Sequence, residues 1–138
     1  SIARRQRQMC IRDSGKIIQE VDNLVVTAGK GYVASRMKDA TATAMSHMAI
    51  GSGSTAAAAS DTALGNQLGR VALTSTTVSN AVVTYVASFP AGTGTGAVTE
   101  AAILNASSGG TMLCRTVFSV VNKGAQDSMT VTWTVTVS

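Results

Sequence analysis

The sequence has little of what a catalytic or metal-binding domain usually needs. Aromatic residues make up 4% of it, and charged residues 13%. It holds one histidine, His47, one proline, Pro90, and two cysteines, Cys10 and Cys114. A single histidine with no close cysteine pair excludes a zinc or other transition-metal ligand set. The scarcity of rings leaves no stacking platform for single-stranded nucleic acid. No apolar run approaches the roughly 18–20 residues of a membrane helix. No serine stands in a GxSxG elbow, so no hydrolase nucleophile announces itself. What fills the 138 residues instead is Ala, Val, Thr, Ser and Gly, at 45% hydrophobic overall. That composition suits a sheet protein with small, uncharged surfaces, and the length suits one core.

The formal charge is +4. Arg4, Arg5, Arg7 and Arg12 against Asp13 supply +3 of it, so the remainder is almost neutral. The basic character belongs to the first fourteen residues, and a nucleic-acid footprint is not expected. Within that segment, RRQRQMCIRDS resembles translated sequencing-adapter DNA found at the ends of metagenomic reading frames. Residues 1–14 are therefore expected to be non-native, and 15–138 to form a single β-rich domain. Cys114 is then the lone native cysteine, expected as a small core hydrophobe.

The chain is organised around its last forty residues. Met129 to Val137 alternates strictly, with Met129, Val131, Trp133, Val135 and Val137 on one side and Thr130, Thr132, Thr134 and Thr136 on the other. A period of two predicts a strand with one buried and one wet face. Val98–Leu104 and Thr111–Val121 precede it, separated by turn-rich NASSGG and NKGAQDS. Together they predict a β-meander. Upstream, Lys16–Asp22 is ambiguous and Asn23–Thr27 reads as a short strand. Thr27 can cap a helix over 28–38, and Gly29 and Gly31 in its first turn suggest a close approach there. Ala44–Gly51 reads as a strand, and Gly51–Ser60 as a flexible loop. Asp61–Gly69 reads as a short helix capped by Asp61, with Leu64 and Leu68 facing inward. Arg70–Val78 and Ala81–Phe89 read as a hairpin turning at Ser79-Asn80. The predicted fold is mainly β, an antiparallel sheet or β-sandwich, with one N-terminal helix and one short helix.

Few residues invite chemistry. Gly51-Ser-Gly-Ser-Thr-Ala56 mimics GxGxxA, but a dinucleotide site needs a helix opening there and an acid about 20 residues on. The stretch near Leu73 has none. His47 reads as an ordinary strand histidine. Glu100 lies inside an apolar strand, and with Arg115 or Arg70 it is expected to form a structural ion pair that fixes register. Trp133 is expected to anchor the core. The Thr130, Thr132, Thr134 and Thr136 face is a neutral β surface, either solvated or packed on a copy of itself. No catalytic, cofactor-binding or metal-binding residue is expected, and no enzyme activity.

The order of motifs carries a resemblance. Asn23-Leu-Val-Val-Thr-Ala-Gly29 comes first, then Ser46-His-Met-Ala-Ile-Gly-Ser-Gly53, then Asp61-Thr-Ala-Leu64 with Arg70. Val98-Thr-Glu-Ala-Ala-Ile-Leu-Asn105, Gly109-Gly110, Met112-Leu-Cys-Arg-Thr-Val-Phe118 and Lys123 follow. This order resembles small virion proteins of tailed bacteriophages, above all the N-terminal attachment domain of tail-collar fibre proteins. Ala101-Ala102 departs from the glycine that often follows the family's glutamate, and family members usually continue into fibre repeats. The resemblance implies a non-enzymatic virion subunit without cofactor, with other phage structural proteins as partners. It also implies a homo-oligomer, most simply a trimer, with no membrane or nucleic-acid partner. A capsid decoration protein is an alternative. So is a surface- or carbohydrate-binding sandwich using loops Gly51–Ala59 and Ala91–Ala97, although both loops lack the rings that sugar sites stack.

Overall fold

The computed structural model describes residues 8–13, 16–22, 24–38 and 42–137, with side chains from Leu24 onward. The strands, in order, are β1 (Gln8–Asp13), β2 (Lys16–Asp22) and β3 (Leu24–Val25), then helix α1 (Thr27–Lys38). Then come β4 (His47–Gly51), β5 (Gln67–Ala72), β6 (Ser75–Ser79) and β7 (Val82–Phe89). β8 (Gly96–Leu104), β9 (Met112–Lys123) and β10 (Met129–Thr136) complete the chain. They form two five-stranded antiparallel sheets, ordered β2-β1-β10-β7-β6 and β3-β9-β8-β4-β5. The architecture is the mainly β sandwich expected from the composition and alternation.

The core lies between the sheets. From the first sheet, Tyr85, Ala87 and Phe89 of β7 and Met129, Val131, Trp133 and Val135 of β10 point inward. From the second, Met48 and Ile50 of β4 and Val98, Ala101 and Ile103 of β8 meet them. The alternation of β10 appears directly in its burial, with each odd position buried and each Thr half-buried. Trp133 is fully buried and is the largest side chain in this core. At about 25 cal/mol per Å² of apolar area, such strands are held mainly by burial of their inner faces.

The second sheet is covered on its outer face too. Val26, Ala49, Ala102, Leu104 and Met112 form a second apolar cluster there, with Ala28 and Leu64 packed against it. Helix α1 lies on β9, and Gly29 seats against the main chain of Leu113, where a β-carbon would overlap backbone. Among the described residues, a β-carbon at Gly31 would meet nothing within 4 Å, so there only Gly29 serves a close approach. Arg36 and Lys38 close the helix at its negative end, and Arg36 Nη1 donates to the Ala42 carbonyl at 2.8 Å.

Three expectations change. The last three strands are not a meander: β8 and β9 pair, but β10 crosses into the other sheet and pairs with β7 and β1. Arg70–Val78 is not one strand. It divides at Leu73-Thr74 into β5 and β6, which belong to different sheets. The short helix over Asp61–Gly69 does not form, and Gln67–Gly69 begin β5 instead. The main-chain donors of Gly65 and Asn66 go to a carboxylate rather than to helix carbonyls. Within the first sheet β10 is an interior strand, flanked by β7 and by β1, whose Arg12 lies opposite Thr130 and Gln8 opposite Thr134. Those β1 residues fall in the segment expected to be non-native. Among the described residues, no helix is long and apolar enough to cross a membrane.

Candidate functional site

The densest polar constellation is built on Glu100. Alternation along β8 sends Ala101 and Ile103 to the core and Glu100 to the outer face of the second sheet, and a register irregularity between Val98 and Glu100 puts Val98 back on the core side. Residues 52–66 pass over that face and close it, so Glu100 has no exposed surface. A buried carboxylate is costly unless its oxygens are hydrogen-bonded. Here Oε2 accepts from the Gly53 amide at 2.6 Å and from the Asn66 amide at 2.8 Å. Oε1 accepts from the Gly65 amide at 2.8 Å. Gly53 is glycine for a steric reason: a β-carbon there would overlap the Glu100 carboxylate.

Arg115, one strand over on β9, completes the cradle. Its Nε lies 3.1 Å and its Nη2 3.0 Å from Glu100 Oε1. Nη2 also donates to the Thr55 carbonyl at 3.0 Å, and Nη1 to Asp61 Oδ2 at 2.8 Å. Asp61 Oδ2 in turn accepts from the Ala58 amide at 2.9 Å. Thr99, beside Glu100, donates its hydroxyl to the Gly53 carbonyl at 2.7 Å. One acid and one base therefore hold both ends and the middle of a long loop. Burial pushes the Glu100 carboxyl up, and the amides of Asn66, Gly65 and Gly53 with Arg115 push it down further. The net shift is below the ordinary carboxylate range. An acid so placed holds charge and does not trade protons near neutrality.

Two further cations anchor turns through carbonyl oxygens. Arg70 does not reach Glu100. Its Nη1 donates to the carbonyls of Ala106 and Gly109 at 3.0 and 2.9 Å, and its Nε and Nη2 share Gln67 Oε1. Burial lowers its pKa from the ordinary guanidinium value. Lys123 is buried, and its Nζ donates to the carbonyls of Pro90 and Asp127 at 2.9 and 2.7 Å. It ties the β7–β8 turn to the β9–β10 turn.

Of the expected site residues, Glu100 and Arg115 come together, Arg70 serves a different turn, and Trp133 sits in the core. Thr130, Thr132, Thr134 and Thr136 line the outer face of the first sheet, where Thr130 and Ser88 hydroxyls lie 3.2 Å apart. Asp61, Gly53, Gly65, Asn66 and Lys123 were not singled out as site residues. The signal lay in the glycines: Gly51-Ser-Gly53, directly after β4, marks main chain that can approach something closely. The Gly51–Ser60 loop, expected to be flexible, is pinned at Gly53, Thr55 and Ala58. No helix opens after Gly51-Ser-Gly53, so the dinucleotide geometry is not formed. His47 Nδ1 lies 2.8 Å from Ser46 Oγ, a local contact. Among the described residues, no group of three or more His, Cys, Asp or Glu could hold a metal ion. No protein-family model, curated protein or solved structure matches the chain.

Proposed function

We propose that the chain is a non-enzymatic structural subunit of a tailed-bacteriophage virion, a fibre-attachment or accessory piece at the tail or collar. Its partners are other phage structural proteins and copies of itself. One observation carries the reading: polar and glycine residues of the resembling motifs come together in the loop clamp. Gly53, Asp61, Thr99-Glu100 and Arg115 meet in one cradle, and Arg70, Gly109 and Lys123 hold the neighbouring turns. The polar side chains are directed inward to fix loops on a sheet. A rigid sandwich with clamped loops and a neutral hydroxyl-rich outer face suits a part that is docked and held. The test is mass spectrometry and immunogold labelling of purified virions from a phage carrying the gene. The chain should be present in the particles, with label at the tail or collar. Label over the head would make it a capsid decoration protein, and absence from purified particles would overturn the reading.

A further inference from the structure

The feature with no intramolecular explanation is strand β6. All of its residues are exposed, and among the described residues it pairs on one side only, with β7. Natural edge strands are usually blunted by lysine, proline or a bulge, because unpaired main chain templates another strand. Ser75-Thr-Thr-Val-Ser79 has none of these, and no charged residue occurs between Arg70 and Glu100. The edges β2 and β5 do carry charge, with Lys16, Glu20 and Asp22 on one and Arg70 on the other.

The register of β6 decides which groups face outward. Ser79 pairs with Val82 across the two-residue turn Asn80-Ala81, in which Asn80 takes a left-handed φ of 54°. The closing pair of such a turn is hydrogen-bonded, and bonding alternates along an antiparallel ladder. Ser75, Thr77 and Ser79 therefore bond to β7, while Thr76 and Val78 turn their N–H and C=O groups to the open edge. Their side chains lie on the core-facing side, opposite Tyr85 and Val83, yet Val78 is 70% exposed. Val83 also lines an apolar groove of about 290 Å³ with Tyr32, Met37, Val135 and Val137. Met37 and Val137 are 82% and 44% exposed.

We propose that β6 is a self-association edge, paired antiparallel with β6 of a second copy about a two-fold axis at Thr77. In that register Thr76 of one copy faces Val78 of the other, and both present free donors and acceptors to each other. Each exposed Val78 is covered by a threonine methyl, no like charges oppose, and the two outer faces run on as one continuous sheet. An identical strand is the occupant because this register is complementary to itself, whereas edges β2 and β5 would bring charge onto a neutral strand and edge β3 is only two residues long. An isologous contact of this kind closes as a dimer. It goes beyond the virion reading and does not depend on it.

The test is sedimentation velocity of the purified chain at micromolar concentration, with three variants. Val78→Pro removes an outward N–H while leaving the β6–β7 bonds intact, as proline does on an open edge. Thr77→Lys and Thr77→Glu place like charges across the axis in each pure variant and opposite charges in their mixture. The wild type should be dimeric and Val78→Pro monomeric, with unchanged circular dichroism. Each Thr77 variant alone should self-associate about tenfold or more weakly. An equimolar mixture of the two should regain the dimer. A monomeric wild type, or a dimer or trimer indifferent to Val78→Pro and to the Thr77 charges, overturns the proposal.

Discussion

Glu100 and Gly53 are 47 positions apart in the chain, and the Gly53 amide donates to the Glu100 carboxylate at 2.6 Å. That contact joins a mid-sheet side chain to the turn immediately after β4. With the Gly65 and Asn66 amides on the same carboxylate, one residue fixes both ends of residues 53–66. Glu100→Gln keeps the shape but removes the charge, turning part of the acceptor set into an amide donor facing N–H groups and Arg115. Breaking a buried pair in this way should cost about 3–5 kcal/mol. Thermal unfolding should show the loss, and limited proteolysis should cut the variant between Ser54 and Ser60 while sparing the wild type. A variant as resistant as the wild type would mean that the Arg115 and Thr99 contacts and the packing of Leu64 hold the loop without the Glu100 charge.

The same carboxyl sets an acid limb. It is a stronger acid in the folded chain than in the unfolded one, so the folded state binds fewer protons. Its contribution is complete above an unfolded pKa of about 4.3 and is lost as pH falls through the lower folded value. Stability should therefore be insensitive to this group from neutrality to about pH 5, then fall steeply below about pH 4. Urea midpoints measured against pH should fall less steeply in Glu100→Gln. Parallel acid limbs for the two proteins would assign the effect to another group.

Much of this fold was legible from period-two patterns, and the failures have one physical origin. Alternation tells which side of a strand is buried but not which sheet the strand joins. The β5–β6 crossing at Leu73-Thr74 carries no glycine or proline, so Arg70–Val78 reads as one strand. After β9 the chain leaves the second sheet for β10 through a turn held by Lys123 and Asp127, a contact that no spacing displays. The Asp61–Gly69 stretch has cap and apolar spacing for a helix, but its donors are claimed by Glu100. Glu100 and Arg115 could be paired on sequence because two opposite charges in neighbouring apolar strands must meet something. The loop amides that complete the site have no side-chain signature beyond glycine.

Two glycines should respond in opposite directions to alanine. At Gly53 a β-carbon meets the Glu100 carboxylate and the Gly65 main chain, and strain of this sort costs about 1–3 kcal/mol. At Gly31, inside α1, nothing among the described residues lies within 4 Å, so alanine should stabilise by about 0.5–1 kcal/mol through helix propensity and a less flexible unfolded chain. Paired chemical melts of Gly53→Ala and Gly31→Ala check both signs. A neutral Gly53→Ala would show that the cradle yields.

Trp133 offers a separation of size from polarity. Among the described residues its indole Nε1 is buried without a hydrogen-bond partner, a donor that costs about 1–3 kcal/mol to leave unmet. Trp133→Ala removes the largest core side chain and should lose about 3–5 kcal/mol. Trp133→Phe removes the orphaned donor along with part of the ring and should lose no more than about 2 kcal/mol. Equal losses in denaturant titrations would mean that the indole nitrogen is satisfied in solution.

Removing residues 1–14 tests whether a segment that resembles translated adapter has been taken into the fold. β1 lies between β10 and β2, and its Gln8–Arg12 main chain ladders with Thr130–Thr134. Deletion bares that edge of β10. β2 cannot slide across and restore the same bonds, because it runs antiparallel to β1 and therefore parallel to β10. The truncated chain should melt several degrees lower, since a loss of about 1 kcal/mol moves a domain of this size by roughly 3–6 °C. It should also aggregate on heating, as a bared neutral strand of alternating Thr and Val does. Amide hydrogen exchange at Thr130, Thr132 and Thr134 gives the local readout. Faster exchange there with a lower melting point establishes β1 as a structural strand. An unchanged melting point and unchanged protection would mean that β10 keeps its place without β1, as expected if the segment is foreign to the protein.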